Sequence, residues 1–147
     1  MTRYDYPGAP ARQGDGPGAP VFALMRAWAA GIVVLLFTEY LQATVVYDYL
    51  ASDSALESFG GRLMLIHLPN AMCIALATWA AGRVHSDPYR ESPAQHLPAA
   101  FTVPVVAQVI NLALQWDGLV AEGVLMSNAV LVLGCVTGYA VERLQED

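Results

Sequence analysis

Four stretches of about twenty residues, 27–46, 63–82, 97–116 and 123–141, are almost free of charge. Each is long enough to cross the hydrocarbon core of a bilayer as a helix. Glu39 is the one formally charged side chain inside them. A helix packed into a water-soluble core is apolar along one stripe only, whereas these runs are apolar all round. The pattern predicts an all-α fold: a polytopic membrane protein, built as an antiparallel four-helix transmembrane bundle with spans at about 21–46, 62–83, 97–116 and 120–141.

The segments between the runs set ends and orientation. Residues 1–20, rich in Gly, Pro and Ala without an apolar period, predict a disordered tail. The first run is read as a retained span, because a signal-peptide cut after Ala43 would place Leu41 where a small residue is required. With the N-terminus inside, Arg3, Arg12, Arg26, Arg83, Arg90 and Arg143 are cytoplasmic and Arg62 alone is outside, so both termini are expected in the cytoplasm. Trp28, Trp79 and Tyr139 would mark the inner interface, and Tyr40, Tyr47 and Trp116 the outer one. In the outer loop 47–61, Ser54-Ala-Leu-Glu57 has the spacing of a capping box and predicts a short helix capped by Ser54 on the membrane surface. The inner loop 83–96, with two prolines and mixed charge, reads as a solvated connection. The two-residue turn at Asp117 and Gly118 makes spans three and four an antiparallel hairpin.

That orientation puts every strongly polar side chain of the spans in the outer half: Glu39 and Gln42, His67 and Asn70, Gln108, Asn111 and Gln115, and Asn128. Their i, i+3 and i, i+4 spacing places them on single helix faces, and an amide facing lipid has no hydrogen-bond partner, so these faces are expected to point into the bundle. They are the candidate ligand-binding residues, with a Glu39–His67 pair between spans one and two as the sharpest candidate. Glu122 is expected to cap the start of span four. Pro69 predicts a kink just below His67. Small residues mark close helix approach at Gly31, at Ala71 and Ala75, and at Gly134 and Gly138, which form a GxxxG pair.

Composition narrows the function classes. Charged residues make up 14% of the 147, too few for an additional soluble domain once the spans are placed. A net charge of −6 with no lysine excludes nucleic acid as a partner and leaves the lipid bilayer as the environment. An arginine-only, Ala-rich chain fits a GC-rich genome, and a bacterial plasma membrane is the expected location. Cys73 and Cys135 fall inside spans, outside any CxxC pattern, and read as packing residues. No GxSxG, HExxH, phosphate-loop lysine or CxxCH is present, and only one histidine lies within a run, so no cofactor is expected. Glu39, His67 and Glu122 are of metal-ligand type but sit on three helices without supporting spacing, so no metal is expected either. The leading expectation is a non-enzymatic membrane protein whose outer polar cluster binds a small ligand or ion or docks a partner protein. One alternative is a membrane enzyme or redox subunit in which Glu39 and His67 handle protons for a lipid or quinone. The other is a structural subunit that forms homo-oligomers through the Gly134/Gly138 face.

Overall fold

The computed structural model describes residues 18–50, 52–85, 91–118 and 120–145. Residues 1–17, most of the expected disordered tail, lie outside them. The described chain is helical almost throughout and contains no strand. Helix α1 spans Ala19–Gln42, with Pro20 in its first turn, where a fixed φ and a missing N–H cost nothing. It runs on into a π-helical segment, Ala43–Leu50. The short helices α2 (Asp53–Glu57) and α3 (Phe59–Arg62) follow. A second π-helical segment, Leu63–His67, joins α3 to α4 (Leu68–Val84). Helix α5 is Pro93–Leu114, a 3₁₀ turn covers Trp116–Gly118, and α6 is Ala121–Leu144.

Four continuous helical stretches are long and apolar enough to cross a membrane: Ala19–Val46, Phe59–Val84, Pro93–Leu114 and Ala121–Leu144. Their outward surface suits hydrocarbon, since Phe22, Val33, Leu36, Val109, Leu125 and Val132 are all exposed. Many of the buried positions on α1 and α4 are small. Ala23, Ala27, Gly31 and Leu35 recur every four residues along α1, and Ala71, Ala77, Ala81 and Gly82 line α4.

Side-chain bonds fix the alternating direction of the helices. Arg26 near the start of α1 donates to Val84 O at the end of α4, and Gln42 at the end of α1 reaches Ile66 O just before α4. Trp28 Nε1 donates to Pro98 O, setting the starts of α1 and α5 side by side. Gln108 of α5 donates to Ser127 of α6 across the hairpin. Helix α4 is the centre, flanked most extensively by α1 and α6, while α5 rests on α4 and α1 and touches α6 less. The tight turn at 117–118 thus connects α5 and α6 without making them each other's main packing partner.

Glycine lets α6 approach α4. A Cβ on Gly134 would sit 2.6 Å from Ile74 Cγ2 and 2.8 Å from Ala71 O; one on Gly138 would strike Ala75 O and lie 2.9 Å from Thr78 Cβ. A Cβ on Gly31 would be 3.3 Å from Ala81 Cβ. The Gly134/Gly138 face is therefore packed against α4 within the chain.

Local corrections follow from hydrogen bonding. Ser54 lies inside α2 rather than capping it; the serine that caps is Ser58, whose Oγ accepts from Gly61 N at 2.9 Å at the start of α3. Glu122 is exposed in the first turn of α6, but the N-cap position is Val120 and carries no side-chain cap. Near Pro69 the ladder shifts register, with Leu68 N bonding Leu63 O in a π turn immediately before the proline. The loop 83–96 is the largest departure. Arg83 and Val84 end α4 and Pro93–His96 already belongs to α5; most of the described loop residues are exposed, but His85 and His96 are buried.

Candidate functional site

Of the eight polar residues singled out in the spans, Gln42, Gln108, Asn111, Gln115 and Asn128 make separate side-chain bonds rather than one network. Gln42 Oε1 accepts from Cys73 Sγ at 3.2 Å while its Nε2 donates to Ile66 O at 3.4 Å, so it ties α1 to the start of the α4 stretch. Glu39 beside it is exposed, and among the described residues no hydrogen bond or ion pair joins it to His67, which is half-buried with Asn70. Gln108 binds Ser127 Oγ at 2.9 Å. Asn111 and Gln115 are exposed and bond to each other along one helix face, so that end of the amide stripe does not point into the bundle. Asn128 donates back to Val124 O at 2.8 Å, within its own helix. Amides near a helix end can be satisfied by their own helix, which removes the need to face a partner. Gln42 is the one residue of this set seen to bond α1 to the α4 stretch, through Ile66 O and Cys73 Sγ. Gln42→Ala is expected to lower stability by about 1 kcal/mol, typical of an interhelical bond in a membrane, and an unchanged unfolding midpoint in mixed micelles would show that the bond contributes nothing.

The buried ionisable groups lie at the opposite end of the bundle. His85, His96 and Glu142 expose 1%, 0% and 0% of their surface. His85 is the C-cap of α4, and its backbone N–H bonds Ala81 O and Gly82 O. His96 is in the first turns of α5, where its N–H returns to Ser92 O at 2.9 Å. Glu142 is in the last turn of α6. It extends the glycine stripe: Gly134, Gly138 and Glu142 are spaced by four, so all three face α4. Opposite Glu142 the α4 residue is Gly82, where a Cβ would come within 3.1 Å of Glu142 Cγ and 3.6 Å of His96 Cε1. A larger residue there would displace the carboxylate.

The three side chains form a line. Glu142 Oε2 is 3.4 Å from His96 Nε2, and His96 Nδ1 is 3.4 Å from His85 Nδ1. Both separations are at the long end for a hydrogen bond. The imidazole centres are 5.6 Å apart, so the two facing nitrogens lie close to the line between the rings, as they must to share a proton. Tyr139, one turn before Arg143 on α6, places its ring 5.8 Å from that of His96. Arg143 holds its Nε 4.0 Å from Glu142 Oε2 and donates to Tyr139 Oη at 3.0 and 2.9 Å. His85 also forms part of the wall of a 210 Å³ cleft between the starts of α1 and α5, a cleft otherwise lined by Pro20, Val21, Leu24, Ala94, Gln95 and Pro98.

Because the groups run in a line, they do not surround one point, and among the described residues no three His, Cys, Asp or Glu side chains converge as metal ligands would. The arrangement can hold and pass a proton. Sequence reasoning missed it because a run counted as apolar stops at its first polar residue, which cuts off the first turns of α5 and the last turn of α6. The available signal was the four-residue stripe from Gly134 through Gly138 to Glu142. Neither a family model, a curated protein nor a solved structure matches the chain.

Proposed function

We propose that the chain is an integral protein of the bacterial plasma membrane with four crossings and both termini in the cytoplasm, and that its working centre is an acid–base site at the cytoplasmic mouth, where His96 and Glu142 together bind one exchangeable proton. The orientation is supported by six arginines on the side of the chain ends against one on the other. The reading is carried by one observation: a carboxylate without exposed surface set against a ring nitrogen of an equally buried imidazole. Such a pair is a poor stabilising device, since apolar residues of the same volume hold a core at least as well. Ionisable groups buried in membrane bundles mark ion and proton sites. Glu39, Gln42, His67, Asn70, Gln108, Asn111, Gln115 and Asn128 then serve local structure, and binding rather than catalysis is the activity.

Two groups that share a proton titrate as one unit. In the purified protein in micelles, the ring signals of His96 by NMR and the carboxyl band of Glu142 by infrared spectroscopy are expected to change over the same pH interval. His96→Ala should alter the Glu142 transition, whereas Glu39→Gln should leave the joint curve in place. Separate transitions, with Glu142 indifferent to His96→Ala, would overturn the reading.

A further inference from the structure

We propose that the furrow between α1 and α4 binds one anionic glycerophospholipid, with an acyl chain along Val33, Val34 and Trp79 and the phosphate on Arg26 and Arg83. The site rests on the reading that the four stretches cross a membrane, and not on the His96–Glu142 pair. The furrow has a volume of 490 Å³. Ala29 and Ala30 of α1 and Ala80 of α4 leave the space, and Val33, Val34 and Trp79 are its larger walls. Val33 is exposed, so the furrow opens on the outward surface, where hydrocarbon lies. Trp79 Nε1 donates to Gln145 Oε1 at 2.9 Å, which fastens the indole to the end of α6 and satisfies its one donor. Arg83 is the one charged residue among the lining side chains.

Both arginines belong to one end of the furrow. The start of α1 lies beside the end of α4, and Arg26 donates from Nη2 to Val84 O at 2.9 Å, next to Arg83 in the chain. Arg26 is one turn before Ala29 and Ala30, on the same face of α1. The two side chains are exposed, and Arg26 spends one of its five N–H donors on Val84. A guanidinium matches phosphate oxygens two at a time. By the count of arginines this end is cytoplasmic, the side on which anionic lipids draw basic residues to the membrane surface. A second furrow of 410 Å³ runs between α1 and α5, past Trp28, Ile32, Leu36, Val103 and Val106, and no charged residue lines it. The two furrows are alike in size and apolar walls and differ in charge. Charge complementarity therefore selects an acidic lipid for the first and gives the second no preference.

The test reconstitutes the full chain in phosphatidylcholine vesicles that hold a small share of brominated phosphatidylglycerol or brominated phosphatidylcholine, and reads the quenching of tryptophan fluorescence. With Trp28→Phe and Trp116→Phe, Trp79 reports on the proposed site. With Trp79→Phe and Trp116→Phe, Trp28 reports on the uncharged furrow. At Trp79 the anionic lipid should be preferred about twentyfold, the scale of two basic residues at an anionic surface, and at Trp28 the two lipids should quench alike. Arg26→Gln and Arg83→Gln should each lower the preference about fivefold, and the double variant should abolish it. Ala29→Leu, which fills the furrow and keeps both arginines, should weaken quenching of Trp79 by either lipid. Equal quenching at Trp79, the same preference at Trp28, or a preference that survives the loss of both arginines would overturn the site. Trp79 shielded from both lipids, in vesicles where cross-linking traps a dimer, would give the furrow to a second copy of the chain instead. If Arg26→Gln does not fold, Arg83→Gln decides, since Arg83 takes no part in the bond to Val84 O. A protein that alkaline carbonate washes off the vesicles would contradict the membrane reading itself, whereas a firmly inserted protein without lipid preference contradicts the site alone.

Discussion

Replacing Gly138 with alanine is expected to cost the bundle about 2 kcal/mol, and replacing it with leucine to prevent α4 and α6 from docking. The added Cβ would strike the backbone carbonyl of Ala75 and lie 2.9 Å from Thr78 Cβ, and neither can swing aside as the end of a flexible side chain can. Close-packed interiors transmit such a displacement along the whole interface. The same substitution at Gly123, in the first turn of α6 with nothing within 4 Å of the new methyl group, should be neutral or should stabilise by about 0.5 kcal/mol, because alanine restricts the unfolded chain. Unfolding curves in mixed micelles compare the two directly. Equal effects at both positions would mean that α6 does not approach α4 as closely as the structure shows.

Glu142→Ala is expected to cost about 3 kcal/mol, with His96 Nε2 left facing a void in a buried setting. Glu142→Gln keeps the volume and an accepting oxygen, and should cost about 1 kcal/mol, the size of an ordinary net hydrogen bond. Unfolding midpoints of the two variants give the comparison. A Glu142→Gln protein as stable as the parent, with the loss confined to Glu142→Ala, would indicate that the side chain merely fills space under Gly82.

The four long apolar helices were legible because an uncharged run of about twenty residues has few other uses. The close approach of α4 and α6 was legible in outline from Ala71, Ala75, Gly134 and Gly138, since only small residues allow backbones so near. The location of the ionisable site was not. Glu142 and His96 are the residues immediately outside the apolar runs 123–141 and 97–116, and a hydropathy boundary falls at the first polar or charged residue even when the helix and its burial continue. His85 and His96 are eleven positions apart, and their meeting depends on where α4 stops and α5 starts. What the polar residues within the runs face was not legible for a related reason. Depth in the membrane can be read from order along the chain, but whether Asn128 or Gln115 faces a neighbour or its own helix depends on register between helices.

The account's central claim is that Glu142 and His96 act as one linked group. A double-mutant cycle on His96→Ala and Glu142→Ala, read as unfolding free energy in mixed micelles, tests it most directly. The predicted coupling is about 1–3 kcal/mol, because each single variant leaves the other buried group without its partner. Losses that add to within about 0.5 kcal/mol would show two side chains buried side by side without interaction, and would contradict the claim.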